Sequence, residues 1–216
     1  MRRALIVCPL FKDSGDVAQN LDSARFDLLL AVDAGARWFM TRDVAPDYAV
    51  GDFDSIDADT LAWLQASDTR FQHASADKDF SDLELALRVC EAQEVQTATI
   101  MGAVGGRLDH QLCVLGALHK SSVPNLRLLG SGEGCQVICL LRAGQQHMIE
   151  GEGTIFSVIG LQKACVSITG ARWPLDHVML DGLSAHGLSN ECTSEEGAII
   201  TAHHGSAFVI SQQQKS

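Results

Sequence analysis

Two carboxylates flank one aromatic in Gly51-Asp52-Phe53-Asp54-Ser55, directly after the apolar segment Tyr48-Ala49-Val50. The apolar segment reads as the end of a short buried strand, so both acids sit at its exit. In an open α/β sheet, ligands bind at the carboxyl ends of the strands. Two hard oxygen donors there suit Mg²⁺, which keeps several waters and reaches out to substrate phosphates. The same residues also suit a plain helix start, with Asp54 or Ser55 capping a helix from about Asp57 to Gln65.

Three further clusters have the same character. Asp33-Ala34-Gly35-Ala36 follows the apolar run Leu28–Val32, and its glycine allows close backbone approach where a helix carrying Trp38 and Met40 begins. Asp77-Lys78-Asp79-Phe80-Ser81-Asp82-Leu83-Glu84 follows a strand predicted at Phe71–Ala74. Ser81 and Glu84 have capping-box spacing, and Leu83, Ala86, Leu87 and Cys90 form one apolar helical stripe. A helix start accounts for one or two of these acids, but not for the whole group with its lysine. Gly102-Ala103-Val104-Gly105-Gly106-Arg107-Leu108-Asp109-His110 follows a predicted strand at Thr97–Met101 and leads into a helix over Asp109–His119. No Gly-Lys-Ser/Thr closes it, so it is not a Walker loop. It still offers backbone N–H groups, a carboxylate and a guanidinium suited to bidentate phosphate contacts.

The elements that must position these residues alternate strand and helix from Ala4–Cys8 to a strand at Asn125–Leu129, which predicts an α/β domain. A short helix is expected near Val17–Arg25, and Gly130–Gly134 reads as a tight connection because no helical pattern follows it. Near residue 143 the texture changes to short alternating runs separated by glycine: His147–Glu150, Thr154–Ile159, Ala164–Ile168, Ala198–Ala202 and Ala207–Ile210. That is an all-β pattern. The predicted domains are therefore 1–142, α/β, and 143–216, a smaller all-β domain. Within the second, Gly170–Leu175 and Gly187–Glu191 read as loops, Trp173 as core or ligand platform, and His203-His204 as a solvated turn.

Bulk properties narrow the partners. With 16 Lys+Arg against 27 Asp+Glu the net charge is −11, which argues against a nucleic-acid footprint. An acidic chain that handles a polyphosphate needs divalent cations to offset repulsion. The seven cysteines are scattered without a Cys-x-x-Cys pair, as expected of reduced thiols in a cytoplasmic protein. Arg2-Arg3 and the following apolar residues are too short, and too soon interrupted by Pro9, for a secretion signal. No apolar run approaches the roughly 18 residues of a membrane span.

Taken in order, these elements resemble the thiamin pyrophosphokinase (thiamine diphosphokinase) family: Asp-x-Gly-Ala at 33–36, Gly-Asp-Phe-Asp-Ser at 51–55, Asp-Lys-Asp-x-Ser-Asp-Leu-Glu at 77–84, Gly-Ala-x-Gly-Gly-Arg-Leu-Asp-His at 102–110, Gly-x-x-Trp-Pro-Leu at 170–175 and Ser-Asn-Glu at 189–191. The resemblance implies an N-terminal α/β domain with a mostly parallel sheet, a smaller C-terminal β-sandwich-like domain, and a homodimer with active sites at the subunit interface. It implies a Mg²⁺-dependent kinase that transfers diphosphate from ATP to thiamine, giving thiamine diphosphate and AMP. On this reading Asp52, Asp54 and Asp82 hold Mg²⁺, while Asp33, Gly35, Lys78, Gly105, Gly106 and Arg107 bind ATP. Asp52 or Asp109 takes the hydroxyl proton, and Trp173, Ser189 and Asn190 bind thiamine. The chain departs from the family pattern at Ala34, Val114 and Cys8-Pro9-Leu10. The rivals are a pyrophosphokinase acting on a hydroxymethyl-pterin, a nucleotide-sugar glycosyltransferase, and a non-catalytic thiamine- or nucleotide-binding relative.

Overall fold

A computed structural model describes residues 1–11, 22–73, 80–130 and 136–212. The chain divides into two compact units, Met1–Glu133 and Gly134–Ser216.

The first unit is built on six parallel strands: β1 (Arg3–Val7), β2 (Leu28–Val32), β3 (Tyr48–Gly51), β4 (Arg70–His73), β5 (Thr97–Met101) and β6 (Asn125–Leu129). Their order is β6-β5-β1-β2-β3-β4, each pair parallel. Ala4 to Val7 are all fully buried, as expected of a strand covered on both faces. Four helices connect the strands in the described residues: α1 (Ala36–Met40), α2 (Ala58–Gln65), α3 (Asp82–Ala92) and α4 (Leu108–Lys120). The cap of α2 is Asp57, whose carboxylate accepts from Thr60 N–H at 2.9 Å, and neither Asp54 nor Ser55 caps it. Only the 3-10 turn Ser23–Arg25 is described from the helix expected near residue 17.

The strand order changes direction once. From β1 the chain winds outward through β2, β3 and β4, then returns to place β5 on the other side of β1. The crevice at the carboxyl ends of β1 and β5 is therefore the switch point where such sheets bind ligands.

The second unit holds β7 (Gln136–Arg142), β8 (Gln146–Ile149), β9 (Ile155–Gly160), β10 (Ala164–Thr169), β11 (Leu175–Leu180), β12 (Asn190–Glu191), β13 (Ala198–His204) and β14 (Ser206–Gln212). Within it the strands run β12-β9-β14-β7 in one sheet and β11-β10-β13-β8 in the other. Phe156, Val158 and Val209 of the first share a core with Val166, Ile168 and Ile200 of the second, which makes a sandwich.

Three expectations need correction. The units divide at Glu133/Gly134 and not at 142/143, because β7 pairs along its whole length with β14. Leu175–Leu180 is a strand beyond the expected loop. His203 and His204 lie inside β13, where the His203 ring stacks on His177 at 4.0 Å. No helix among the described residues is long and apolar enough to cross a membrane.

Candidate active site

Asp33 opens the 3-10 turn Asp33–Gly35 at the exit of β2 with φ 43. The turn is pressed against β1, since a Cβ on Gly35 would lie 2.1 Å from the Val7 carbonyl oxygen. This close approach explains the glycine and drives Asp33 inward to 8% exposure. Its Oδ1 accepts from Phe53 N–H at 3.3 Å, and the Asp82 carboxylate is near enough for its charge to act on it. Burial, then the Asp82 and Asp52 charges, push the Asp33 carboxyl up to about 7. The Cys8 thiol, at the exit of β1, is raised by burial and then by Asp33 and Asp82. One field of negative charge therefore joins Asp33, Asp52 and Asp82 close to the switch point.

The Asp-Phe-Asp segment is a tight turn. Asp52 Oδ1 accepts from Asp54 N–H at 3.2 Å, and Phe53 between them has φ 63. The Phe53 ring lies edge-on to Phe71 at 5.3 Å and to His73 at 5.1 Å, which anchors the turn and leaves both acids exposed.

The donor chemistry fits a hard divalent cation, because mutually repelling carboxylates that raise one member's pKa are stabilised by a positive ion. Among the described residues, however, no group of three His, Cys, Asp or Glu side chains converges to hold a metal alone. The ligand set expected at Asp52, Asp54 and Asp82 is thus not closed by protein atoms. Mg²⁺ commonly binds through one or two carboxylates, with waters and phosphate oxygens filling the remaining positions.

Asp82 begins α3, behind the N-cap Ser81. The Ser81 N–H donates to Glu84 Oε2 at 2.9 Å and Glu84 N–H to Ser81 Oγ at 3.3 Å, the expected capping box. This box fixes the first turn and with it the Asp82 backbone. Asp77, Lys78 and Asp79 lie outside the described residues.

The fourth cluster follows β5. Gly102 has φ 72, and a Cβ there would meet Cys8 O at 2.4 Å; Leu10 N–H donates to Gly102 O at 2.9 Å. The departure Cys8-Pro9-Leu10 is thus packed on this loop. Gly105 and Gly106 are exposed, with backbone open to a ligand. Arg107 grips Asp109 through Nη2 at 2.6 Å and Nε at 3.1 Å, both side chains in solvent. The guanidinium, then the His110 N–H, hold the Asp109 carboxyl below the usual carboxylate range. That pairing opposes a base role for Asp109 while it lasts. Val114 is a core residue of α4, 4% exposed.

In the second unit Trp173 is 53% exposed. Ser189 is exposed with φ 55, and its N–H donates to Ser157 Oγ at 3.1 Å. Asn190 is 4% exposed and its carboxamide is engaged with the Trp173 backbone. Arg172, not singled out in the sequence, pairs with Glu191 at 3.0 Å and sits 5.2 Å from the Trp173 ring centre.

Residues 20–129 match the family model described as thiamin pyrophosphokinase, catalytic domain. The chain is 26% identical over 171 residues to Thiamine pyrophosphokinase 3 of Oryza sativa subsp. japonica, covering 74% of this chain and 63% of the relative. It is 27% identical over 175 residues to the thiamine pyrophosphokinase of Bacillus subtilis (strain 168), covering 79% of this chain and 80% of the relative. In the rice protein, therefore, the match spans somewhat under two thirds of the length. The crystal structure of thiamine pyrophosphokinase from Bacillus subtilis superposes with TM-score 0.80 at 23% identity over 99% of this chain and 100% of the other. That from Candida albicans gives 0.73 at 16% over 98% and 90%. At these identities the two structures establish the fold.

Proposed function

Since the chain belongs to the thiamin pyrophosphokinase family, we propose that it is a thiamine diphosphokinase, moving the terminal diphosphate of ATP to the hydroxyl of thiamine. The observation that carries this reading is the exposed pair Asp52 and Asp54 at the exit of β3, held beside the buried Asp33 within the stretch that matches the family model. Such a cluster suits a cation-bound polyphosphate.

In the proposed reaction the thiamine hydroxyl oxygen bonds to the β-phosphorus of ATP. The bond from that phosphorus to the α–β bridging oxygen breaks, and AMP leaves with the oxygen. Catalysis of such transfers is mainly positioning and charge neutralisation. Asp52, Asp54 and Asp82 are the residues that would hold Mg²⁺, which when bound supplies charge compensation along the triphosphate. Arg107 leaves Asp109 for a phosphate, exchanging one anionic partner for another, and Lys78 adds a second positive charge. Gly105 and Gly106 let backbone N–H groups approach, and Asp33 and Gly35 shape the turn beside them. The hydroxyl proton passes to Asp52 or to Asp109, the latter open to that role once Arg107 has left it. Trp173 offers the cationic thiamine an exposed aromatic face.

The reading includes a homodimer and a cytoplasmic setting, where ATP and Mg²⁺ coexist. Parallel turnover assays with thiamine and with a hydroxymethyl-pterin test the acceptor. Turnover of thiamine alone is expected. Turnover of the pterin alone would replace the acceptor, and binding of thiamine without AMP release would make the protein a non-catalytic relative.

A further inference from the structure

We propose that Asn190 is a positioning residue that fixes Trp173 as a preformed aromatic platform, and that it does not itself bind the acceptor; this rests on the reading of Trp173 as the acceptor's stacking partner. Residues 170–173 are strapped to residues 190–193 like a short antiparallel ladder. Ala171 bridges Cys192, Arg172 N–H donates to Glu191 O at 2.9 Å, and Thr193 N–H donates to Gly170 O at 2.9 Å. The Arg172–Glu191 ion pair ties the same two segments.

The ladder cannot continue through backbone groups. On one side Pro174 has no N–H to give. On the other, Ser189 has φ 55 and turns the chain away, its N–H committed to Ser157 Oγ. The Asn190 side chain supplies the missing rung. Its Nδ2 donates to Trp173 O at 2.8 Å, while Oδ1 accepts from Trp173 N–H at 3.1 Å and from Glu191 N–H at 2.9 Å. A carboxamide carries the same donor and acceptor as a peptide unit, so it closes both sides of Trp173 as a paired strand would.

The rung is itself anchored. Asn190 pairs with Phe156 of β9, which is 1% exposed, and is 4% exposed itself. A buried, fully bonded carboxamide cannot reach a ligand without abandoning those bonds. The side chain it holds is the opposite: large, flat and open to solvent. Preorganising such a group removes an ordering cost from binding.

Asn190→Asp changes one group only. It keeps both accepting interactions, removes the donor to Trp173 O and sets oxygen against oxygen. The thiamine KM is expected to rise about tenfold, with kcat at saturating thiamine and the ATP KM within about twofold of the parent. In a Trp173→Ala background the same substitution should add nothing further, since it acts through Trp173. An unchanged thiamine KM, or a full additional effect in that background, overturns the assignment. A purely structural role would lower Tm and leave the thiamine KM where it was.

A second readout needs no substrate. The protein has three tryptophans, so 5-fluorotryptophan labelling gives three ¹⁹F signals, with that of Trp173 identified by its loss in Trp173→Phe. In Asn190→Asp, and in Asn190→Ala, the Trp173 signal is expected to narrow and move toward the free amino acid. An unchanged signal sinks the clamp whatever the substrate. A changed signal with no thiamine turnover by the parent protein would instead sink the thiamine reading and leave the clamp standing.

Discussion

A Cβ placed on Gly51 would lie 1.9 Å from Oδ1 of Asp33. The glycine ends β3 with φ 141, and the carboxylate comes from the exit of the neighbouring strand β2. The two residues occupy one space, so the Asp52–Asp54 turn can sit where it does only because residue 51 has no side chain. Gly51→Ala should push the Asp33 carboxylate off Phe53 N–H, cost about 1–3 kcal/mol of stability and lower turnover at least tenfold. Removing the obstruction in Gly51→Ala/Asp33→Ala should return part of the lost Tm. Thermal unfolding of the single and double variants measures this, and strict additivity would contradict the shared space.

The burial of Asp33 has a pH signature in the metal-free protein. Its carboxyl is raised from the ordinary 3.8 to about 7 in the fold. Between those values the folded chain keeps a proton that the unfolded chain has released, so rising pH favours unfolding. This group's contribution to stability is therefore full below about pH 4, falls as the pH climbs toward 7, and changes little above. Denaturation midpoints in chelator across that range should show the slope, and Asp33→Asn should flatten it. An unaltered slope in the variant would contradict the assignment.

Asp54 is exposed beside the acid cluster, outside the core. Asp54→Asn keeps the size of an exposed side chain and should leave the protein folded, with a small change in Tm. Mg²⁺-dependent turnover should fall by at least about a hundredfold if the carboxylate carries cation binding. Near-parental turnover at ordinary Mg²⁺ would remove Asp54 from the metal's ligands.

Trp173 exposes its ring without supporting the core, so Trp173→Ala should fold normally. A stacked cation is worth roughly 0.5–2 kcal/mol, which corresponds to a rise of about two- to thirtyfold in the thiamine KM. The ATP KM should stay near the parent value. Steady-state kinetics with each substrate varied separately decide the point, and an unchanged thiamine KM would exclude the ring.

The central parallel strands were legible because sheets buried on both faces leave apolar runs in the sequence, as Ala4–Val7 and Leu28–Val32 show. The capping box at Ser81 and Glu84 was legible for a local reason, since all its partners lie within one turn. Leu175–Leu180 was not, because half of its side chains are exposed and a register shift between Val166 and Ile168 breaks the alternation. His203 and His204 look like turn residues, yet β13 continues through them because Ser167 Oγ lies 2.8 Å from His203 Nε2 and the His177 ring covers it.

In the site, each acidic cluster announced itself by composition. Which acids meet is a matter of strand order: Asp33 and Asp82 are far apart in sequence, and the α3 start returns to the β2 exit only in the fold. The engagement of Asn190 was equally hidden. An Asn beside a Ser in a loop reads as a ligand-binding pair, and only the positive φ of Ser189 and the missing N–H of Pro174 reveal a backbone rung to be replaced.

The central claim is transfer of a diphosphate to thiamine at the acid cluster, and ³¹P NMR with quantified nucleotides tests it most directly. Protein incubated with ATP, Mg²⁺ and thiamine should produce AMP and thiamine diphosphate in equal amounts, with no thiamine monophosphate intermediate. ADP with thiamine monophosphate, or AMP with free pyrophosphate and unreacted thiamine, would contradict it.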